Sequence, residues 1–362
     1  MEQEMKGLDH GHGGEIFALS EAEREQILDF SVNINPLGMS PRGRKAVLSY
    51  FDREAGRYPD ASCRQMKEAL ARHYAIPASA VTCGNGATEL MYALVRAVRP
   101  SAVYVPAPSF SEYRFAAEAG GVPVHSFLLD SRKRFSPMDE TFLDSLPMHP
   151  MLYLGHPNNP DGQILSREQF RRFAEAAGAK EGWLVIDESF IDFLGTEYSY
   201  AREIGACPQV VVLFSLTKFY AVPGLRIGAA FSSPAVAEAL ARQLCPWNVN
   251  GPVQLYISEA VQDAPYIEAS RAYVRDERAR MEAALRRMPG LRVYDGTVNF
   301  FLLQLTGGMT GADLSERLRP YHLKIRRCAN YEGLDDTFFR AAVRKREENE
   351  QLLSALGKVL NE

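Results

Sequence analysis

From residue 81 to residue 231, seven short apolar runs rich in β-branched residues alternate with amphipathic segments, and no other feature narrows the possible folds so far. A strand buried on both faces reads as a continuous apolar run, and strands separated by helix-length segments wind into a largely parallel sheet with helices on both sides. The runs place strands near 81–83, 102–105, 122–128, 151–154, 183–186, 210–214 and 225–231, with helices over 64–74, 89–98, 111–119, 167–177 and 235–244. The charged stretch 266–288 then carries Leu, Met and Ala at helical spacing and suits a helix linking two units. Strands at 291–293 and 300–305 and a closing helix at 347–360 follow. The expected organisation is an N-terminal arm at 1–40 contributing to the active site and the small domain, a large α/β domain at 41–255 around a mostly parallel seven-stranded sheet, and a linking helix with a smaller α+β domain at 256–362.

Charge and cysteine usage exclude several classes. Lys plus Arg number 41 against 45 Asp plus Glu, with no basic stripe to follow a phosphate backbone, so nucleic acid is not expected as a partner. Five cysteines are scattered without a CxxC pair, which speaks against a disulfide framework and a zinc site and suits a reducing cytoplasm. The first 14 residues are polar and acidic where a signal peptide is basic and then apolar, and no apolar run approaches membrane-spanning length. The expectation is a soluble cytoplasmic protein with no membrane contact.

In open α/β sheets ligands gather beyond the carboxyl ends of the strands. Four such junctions are unusual. The first is Gly84-Asn85-Gly86-Ala87-Thr88, a glycine-bearing turn opening a helix whose N–H groups suit a phosphate. The second is His156-Pro157-Asn158-Asn159-Pro160-Asp161-Gly162, a loop of turn formers. The third, Ile186-Asp187-Glu188, sets carboxylates at the mouth of an apolar strand, and the fourth is Ser215-Leu216-Thr217-Lys218 followed by Pro223-Gly224-Leu225-Arg226. Taken singly, each reads equally as a tight turn, a rigid loop or a helix cap. Together they match one ligand, pyridoxal phosphate: a lysine amine for its aldehyde, an acid for its pyridinium nitrogen, and hydroxyls, amides and an arginine for its phosphate.

The order Asn-Pro-x-Gly, Asp, Ser-x-x-Lys, then Arg eight residues beyond the lysine resembles the aspartate-aminotransferase-like, fold-type-I pyridoxal-phosphate enzymes over nearly the whole chain. The resemblance implies Lys218 as the Schiff-base lysine, Asp187 on the pyridinium nitrogen and Asn159 on the ring oxygen. It also implies that Ser215, Arg226, Gly86 and the amides of Ala87 and Thr88 surround the cofactor phosphate. Phe110 falls where the family stacks an aromatic on the ring; a core aromatic is its competing reading. Tyr58 matches a tyrosine that reaches the phosphate from the neighbouring subunit, which implies a homodimer with shared active sites.

Within the family, the chain is most similar to a branch holding histidinol-phosphate aminotransferases and threonine-phosphate decarboxylases. His12-Gly13-Gly14, 29–38 and 339–344 look more like the decarboxylases, as does Phe190, where the aminotransferases usually carry a tyrosine. By that resemblance Arg340 holds an α-carboxylate, while Arg326, His12, Ser31 and Asn33 surround a substrate phosphate. A solvated basic face competes as the reading of Arg327 and Lys345. His12 reads alternatively as an arm histidine, and with no acid or cysteine nearby a metal is not expected. The implied reaction is decarboxylation of the phosphoamino acid O-phospho-L-threonine to (R)-1-aminopropan-2-yl phosphate and carbon dioxide in cobalamin biosynthesis. The alternatives are an O-phosphoserine decarboxylase giving ethanolamine phosphate and a histidinol-phosphate aminotransferase. One methyl group separates the two phosphoamino acids, worth only about 1–3 kcal/mol.

Overall fold

A computed structural model describes residues 13–133, 135–137 and 140–361. Its main sheet is built from β1 (Val81–Gly84), β2 (Ala102–Ala107), β3 (Val124–Asp130), β4 (Pro150–Gly155), β5 (Trp183–Asp187), β6 (Val210–Phe214) and β7 (Gly228–Phe231), with a two-residue piece, Ser136–Pro137, at one edge. The spatial order is β1-β7-β6-β5-β4-β2-β3, and β7 runs antiparallel to both its neighbours while the others run parallel. The exception has a physical cause. Residues 215–227, which connect β6 to its neighbour β7, hold no helix to carry a parallel crossover over the sheet face, and the chain turns back antiparallel instead. The mostly parallel sheet read from the sequence is therefore present, but β7 begins at Gly228 and not at 225, because Arg226 adopts φ +57° and turns the chain.

Burial explains why the strands read as unbroken apolar runs. Met151, Tyr153, Val185, Val211 and Leu213 pack on one face with Leu90, Met91 and Leu94 of the helix Ala87–Val98 and with Tyr113 of the helix Glu112–Ala119. The alternate residues Leu152, Leu154, Leu184, Ile186, Val212 and Phe214 join the helices Arg64–Tyr74, Arg167–Ala179 and Gly251–Ala260 on the other face. Each fully buried side chain of this size contributes about 1.5–3 kcal/mol. Helices Pro41–Arg53, Gly251–Ala260 and Gly311–Leu318 add to those read from the sequence, and position 255 falls inside the second of them.

The long helix Ala264–Leu285 has 22 residues, about 33 Å, and leads into an antiparallel sheet. Its strands are β8 (Leu291–Val293), β9 (Phe300–Leu305), β10 (Arg326–Arg327) and β11 (Phe338–Ala342), in the order β8-β9-β11-β10. Phe301, Leu303, Leu305, Phe339 and Ala341 pack on Met281, Leu285, Leu314, Leu352 and Leu356 of the flanking helices. The two-residue period of β11 consequently turns Arg340 to the opposite face. Phe300, on that same opposite face of β9, joins the core of the large unit. Among the described residues, no helix is long and apolar enough to cross a membrane.

Candidate active site

Gly86 caps the helix Ala87–Val98 at φ +94°, with no side-chain cap hydrogen bond to its first turn. A Cβ on Gly86 would collide with the Arg226 guanidinium, and one on Gly228 would collide with the Ala87 backbone nitrogen, so both positions require glycine. The sequence thereby sets a guanidinium against the positive end of a helix. That arrangement favours an anion between them. On the same rim Ser215 and Thr217 share a hydroxyl hydrogen bond of 2.8 Å, and the Ser215 N–H donates to Ser189 Oγ at 3.1 Å.

Lys218 follows on that turn. Burial, then the guanidinium groups of Arg226 and Arg340, push its amine down to about 8, with Asp187 pulling the other way. Asp187 at the end of β5 is raised by burial, against the hydroxyls of Ser189 and Tyr113 and the charge of Lys218. Tyr113 donates to its Oδ2 at 2.7 Å, while the Ser189 N–H, at 3.0 Å, and hydroxyl donate to Oδ1. Three donors on one carboxyl orient it and favour its ionised form. Tyr113 stacks on Tyr153 at 4.7 Å and meets the half-buried Phe110 edge-on at 5.8 Å, so Phe110, just before the helix Glu112–Ala119, packs on the residue of its first turn that holds Asp187.

Asn159 ties this half of the site to the small sheet. Its Oδ1 accepts from Arg340 Nη1 and, at 3.3 Å, from the Tyr331 hydroxyl, which leaves the amide nitrogen as the group with donors to offer. Arg340 is buried, donates through Nη2 to the Ser31 carbonyl at 2.7 Å, lies over the Phe300 ring at 5.3 Å, and keeps an unpartnered Nε among the described residues. Directly across the strand pair stands Arg326, over the Tyr331 ring at 5.2 Å and bonded to Asn330 at 2.8 Å. Like charges opposite one another destabilise a sheet unless an anion compensates them. Arg327 faces away and pairs with Asp336 at 2.9 Å.

The remaining sequence-derived residues divide. Ser31 is buried, but its hydroxyl donates to Asp29 and accepts from the Gly14 N–H at 3.0 Å, so toward Arg340 it acts through its carbonyl. Asn33 is buried with Oδ1 unpartnered among the described residues. Phe190 packs edge-on against Phe300 at 5.0 Å within the core. Tyr58 is 82% exposed and stacks on Trp247 at 4.8 Å. His12 lies outside the described residues. Sequence reasoning missed Tyr113 and Tyr331 as site residues; Tyr113 stands in the first turn of the helix read over 111–119, but no spacing there points to Asp187.

An anion cradle, a buried carboxylate, an amide donor and a lysine of lowered basicity on successive strand ends fit pyridoxal 5′-phosphate. The description "Aminotransferase class I and II" matches residues 25–356, and the chain belongs to that family of pyridoxal-phosphate enzymes. Within it, the chain is 37% identical to the threonine-phosphate decarboxylase of Salmonella typhimurium, over 98% of this chain and 97% of that one. It is 30% identical to the adenosylcobalamin biosynthesis bifunctional protein CobDQ of Leptospira interrogans, over 96% of this chain and 41% of that longer one. The crystal structure of histidinol-phosphate aminotransferase from Clostridium acetobutylicum superimposes with a TM-score of 0.85 at 30% identity, covering 92% of this chain and 99% of that one.

Proposed function

We propose that the chain decarboxylates O-phospho-L-threonine to (R)-1-aminopropan-2-yl phosphate and carbon dioxide, working in the cytoplasm and supplying cobalamin biosynthesis. The observation that carries the substrate class is the cross-strand pair Arg326 and Arg340, two guanidinium groups on adjacent strands beside Asn159. They suit a small molecule with two anionic groups. The similarity to a threonine-phosphate decarboxylase and to a cobalamin-biosynthesis protein, with an apolar Phe190, supports the reaction.

Pyridoxal phosphate supplies an aldehyde that exchanges with amines and a conjugated ring that accepts the electron pair of a bond broken at the substrate Cα. Arg226, Ser215 and the Ala87 and Thr88 amides hold its phosphate around Gly86. Asp187, held by Tyr113 and Ser189, pairs with the ring nitrogen; Asn159 donates its amide to the ring oxygen and Phe110 covers the ring. Lys218 would be the residue that anchors the cofactor, and its amine would be freed when a substrate amine takes its place. Arg340 would bind the α-carboxylate and so select the Cα–carboxylate bond as the one to break. Arg326, with Asn33, the Ser31 segment and His12, holds the phosphate. Once freed, Lys218, whose basicity near pH 8 lets it both hold and release a proton, would supply the proton that takes the place of the carbon dioxide lost at Cα. Tyr58 completes the phosphate cradle of a second copy in a homodimer, for which its exposure leaves it available. The working parts are the arm at 1–40, the large unit at 41–255 and the small unit at 256–362.

Purified protein given phosphothreonine, without any oxo acid, should release carbon dioxide and return its cofactor unchanged each turn; phosphoserine alongside sharpens the substrate. No carbon dioxide from either, with conversion of the cofactor by histidinol phosphate, would overturn the reading in favour of transamination.

A further inference from the structure

The motif Asn35-Pro36-Leu37-Gly38 takes no part in the site described above, yet it is bonded directly to the turn that carries Lys218. The Asn35 N–H donates to the Lys218 carbonyl at 3.0 Å. Its side-chain amide donates to the next carbonyl, that of Phe219, at 2.9 Å, and also reaches Tyr266 Oη at 3.0 Å and Ser270 Oγ at 2.8 Å on the long helix. The Tyr266 hydroxyl in turn lies 2.8 Å from the Phe219 carbonyl. Asn35 is buried, and its Oδ1 is taken by the Leu37 N–H at 3.0 Å, which fixes which end of the amide faces the lysine turn.

A few residues earlier the same arm is bonded to the small sheet and to Leu323–Lys324 beside it. The Phe30 N–H donates to Lys324 at 2.7 Å, the Phe30 carbonyl accepts from Ala342 at 2.9 Å, and the Ser31 carbonyl holds Arg340 at 2.7 Å. Only residues 32–34 separate that attachment from the one at Asn35. The arm is therefore a short strap with the carboxylate-binding arginine at one end and the proton-carrying lysine at the other.

We propose that Asn35 is a positioning residue that keeps Lys218 in register with Arg340, acting through the carbonyls of residues 218 and 219. This rests on the roles of Lys218 and Arg340 proposed above. Fixing two successive carbonyls leaves the lysine turn little freedom, and a misplacement of about 1 Å costs roughly a hundredfold in rate.

The test uses the full chain freed of cofactor, measuring by absorbance how the rate of pyridoxal 5′-phosphate recapture depends on pH. Capture requires the neutral amine, so in the wild type the rate should rise through about pH 8. In Asn35→Ala and Asn35→Asp, which both lose the amide donor, the turn loosens and the amine escapes its apolar surroundings and the two arginines. The midpoint should move up by about one unit. On reloading, kcat with phosphothreonine should fall roughly ten- to hundredfold while KM stays within about threefold. A lowered melting temperature with the wild-type midpoint and kcat would reduce Asn35 to a structural residue and overturn the proposal. If neither Asn35 variant folds, Tyr266→Phe removes the other donor to Phe219; the same shifts, smaller, are expected there, and wild-type values would overturn the proposal equally. The capture profile needs no substrate, so it stands or falls apart from the choice of phosphothreonine.

Discussion

The cofactor half of the site and its substrate half are built in opposite ways. At the large-sheet end, the groups that matter are fixed largely within their own turns, Asp187 by Ser189, Ser215 by Thr217 and Gly86 by the helix it opens, with the bond from Tyr113 to Asp187 the longer-range exception. At the small-sheet end they are fixed by remote partners, with Arg340 bonded to Asn159 across 181 positions and to Ser31 across 309. A site made of local turns retains its ligand chemistry when neighbouring parts change. One made of remote contacts is free to be re-aimed.

The largest effect should come from the local half. Lys218→Ala removes the proposed anchor and proton carrier together, and turnover should fall by at least about a thousandfold. Borohydride reduction of the loaded wild type followed by peptide mapping should place the label on Lys218; finding it on Lys324 would break the division between the halves.

The substrate half should respond more selectively. Arg340→Ala should lower kcat/KM for phosphothreonine and free threonine alike, by about ten- to a hundredfold, since both carry the α-carboxylate. Arg326→Ala should penalise phosphothreonine alone. Equal losses on both substrates for Arg326→Ala would show that the two arginines are not divided between carboxylate and phosphate.

A smaller change should mark the seam between the halves. Tyr331→Phe leaves the ring under Arg326 but removes the hydroxyl from Asn159, which Arg340 still holds. Turnover should fall only about two- to tenfold, with KM for phosphothreonine nearly unchanged; a large rise in KM would move Tyr331 into the phosphate site.

The smallest effect concerns pH. Buried His156 is pushed down to about 4 by desolvation, against its bond to the Tyr198 carbonyl, and its Nδ1 accepts from the Leu165 N–H. The unfolded chain takes up this proton near pH 6.5, so between there and about 4 unfolding gains protons and the folded state loses stability as pH falls. Asp161 and Glu188, raised by burial to about 7 and about 8, act in the opposite sense over that window, so the effect of His156 is read as a difference: as pH falls from 6.5 to about 4 the wild type should lose about a few degrees of melting temperature relative to His156→Gln, which keeps a donor and an acceptor.

Much of the cofactor half was legible in the sequence because its chemistry is local. The helix 64–74 and the strands 291–293 and 300–305 were read with the bounds they have, and the Ser-x-x-Lys turn lies between the two strands expected to flank it. Helix Pro41–Arg53 escaped although Ser40 caps it and Pro41 stands in its first turn, since its apolar face is short and packs mainly on Gly251–Ala260, a helix also unread. Tyr113 was placed on a helix, but nothing in its spacing identified its bond to Asp187.

By itself the sequence determined that a lysine, an acid, an asparagine and a glycine turn stand at strand ends of an α/β sheet, because turn formers and the period of apolar residues act within a few positions. Only the tertiary structure decided that β7 runs backward, that Arg326 faces Arg340, that Asn159 turns its amide nitrogen outward, and that the Asn35 strap grips the lysine turn. Those choices depend on which surfaces meet when the two sheets bury their apolar faces, and contacts made across hundreds of residues leave no periodic trace in the chain.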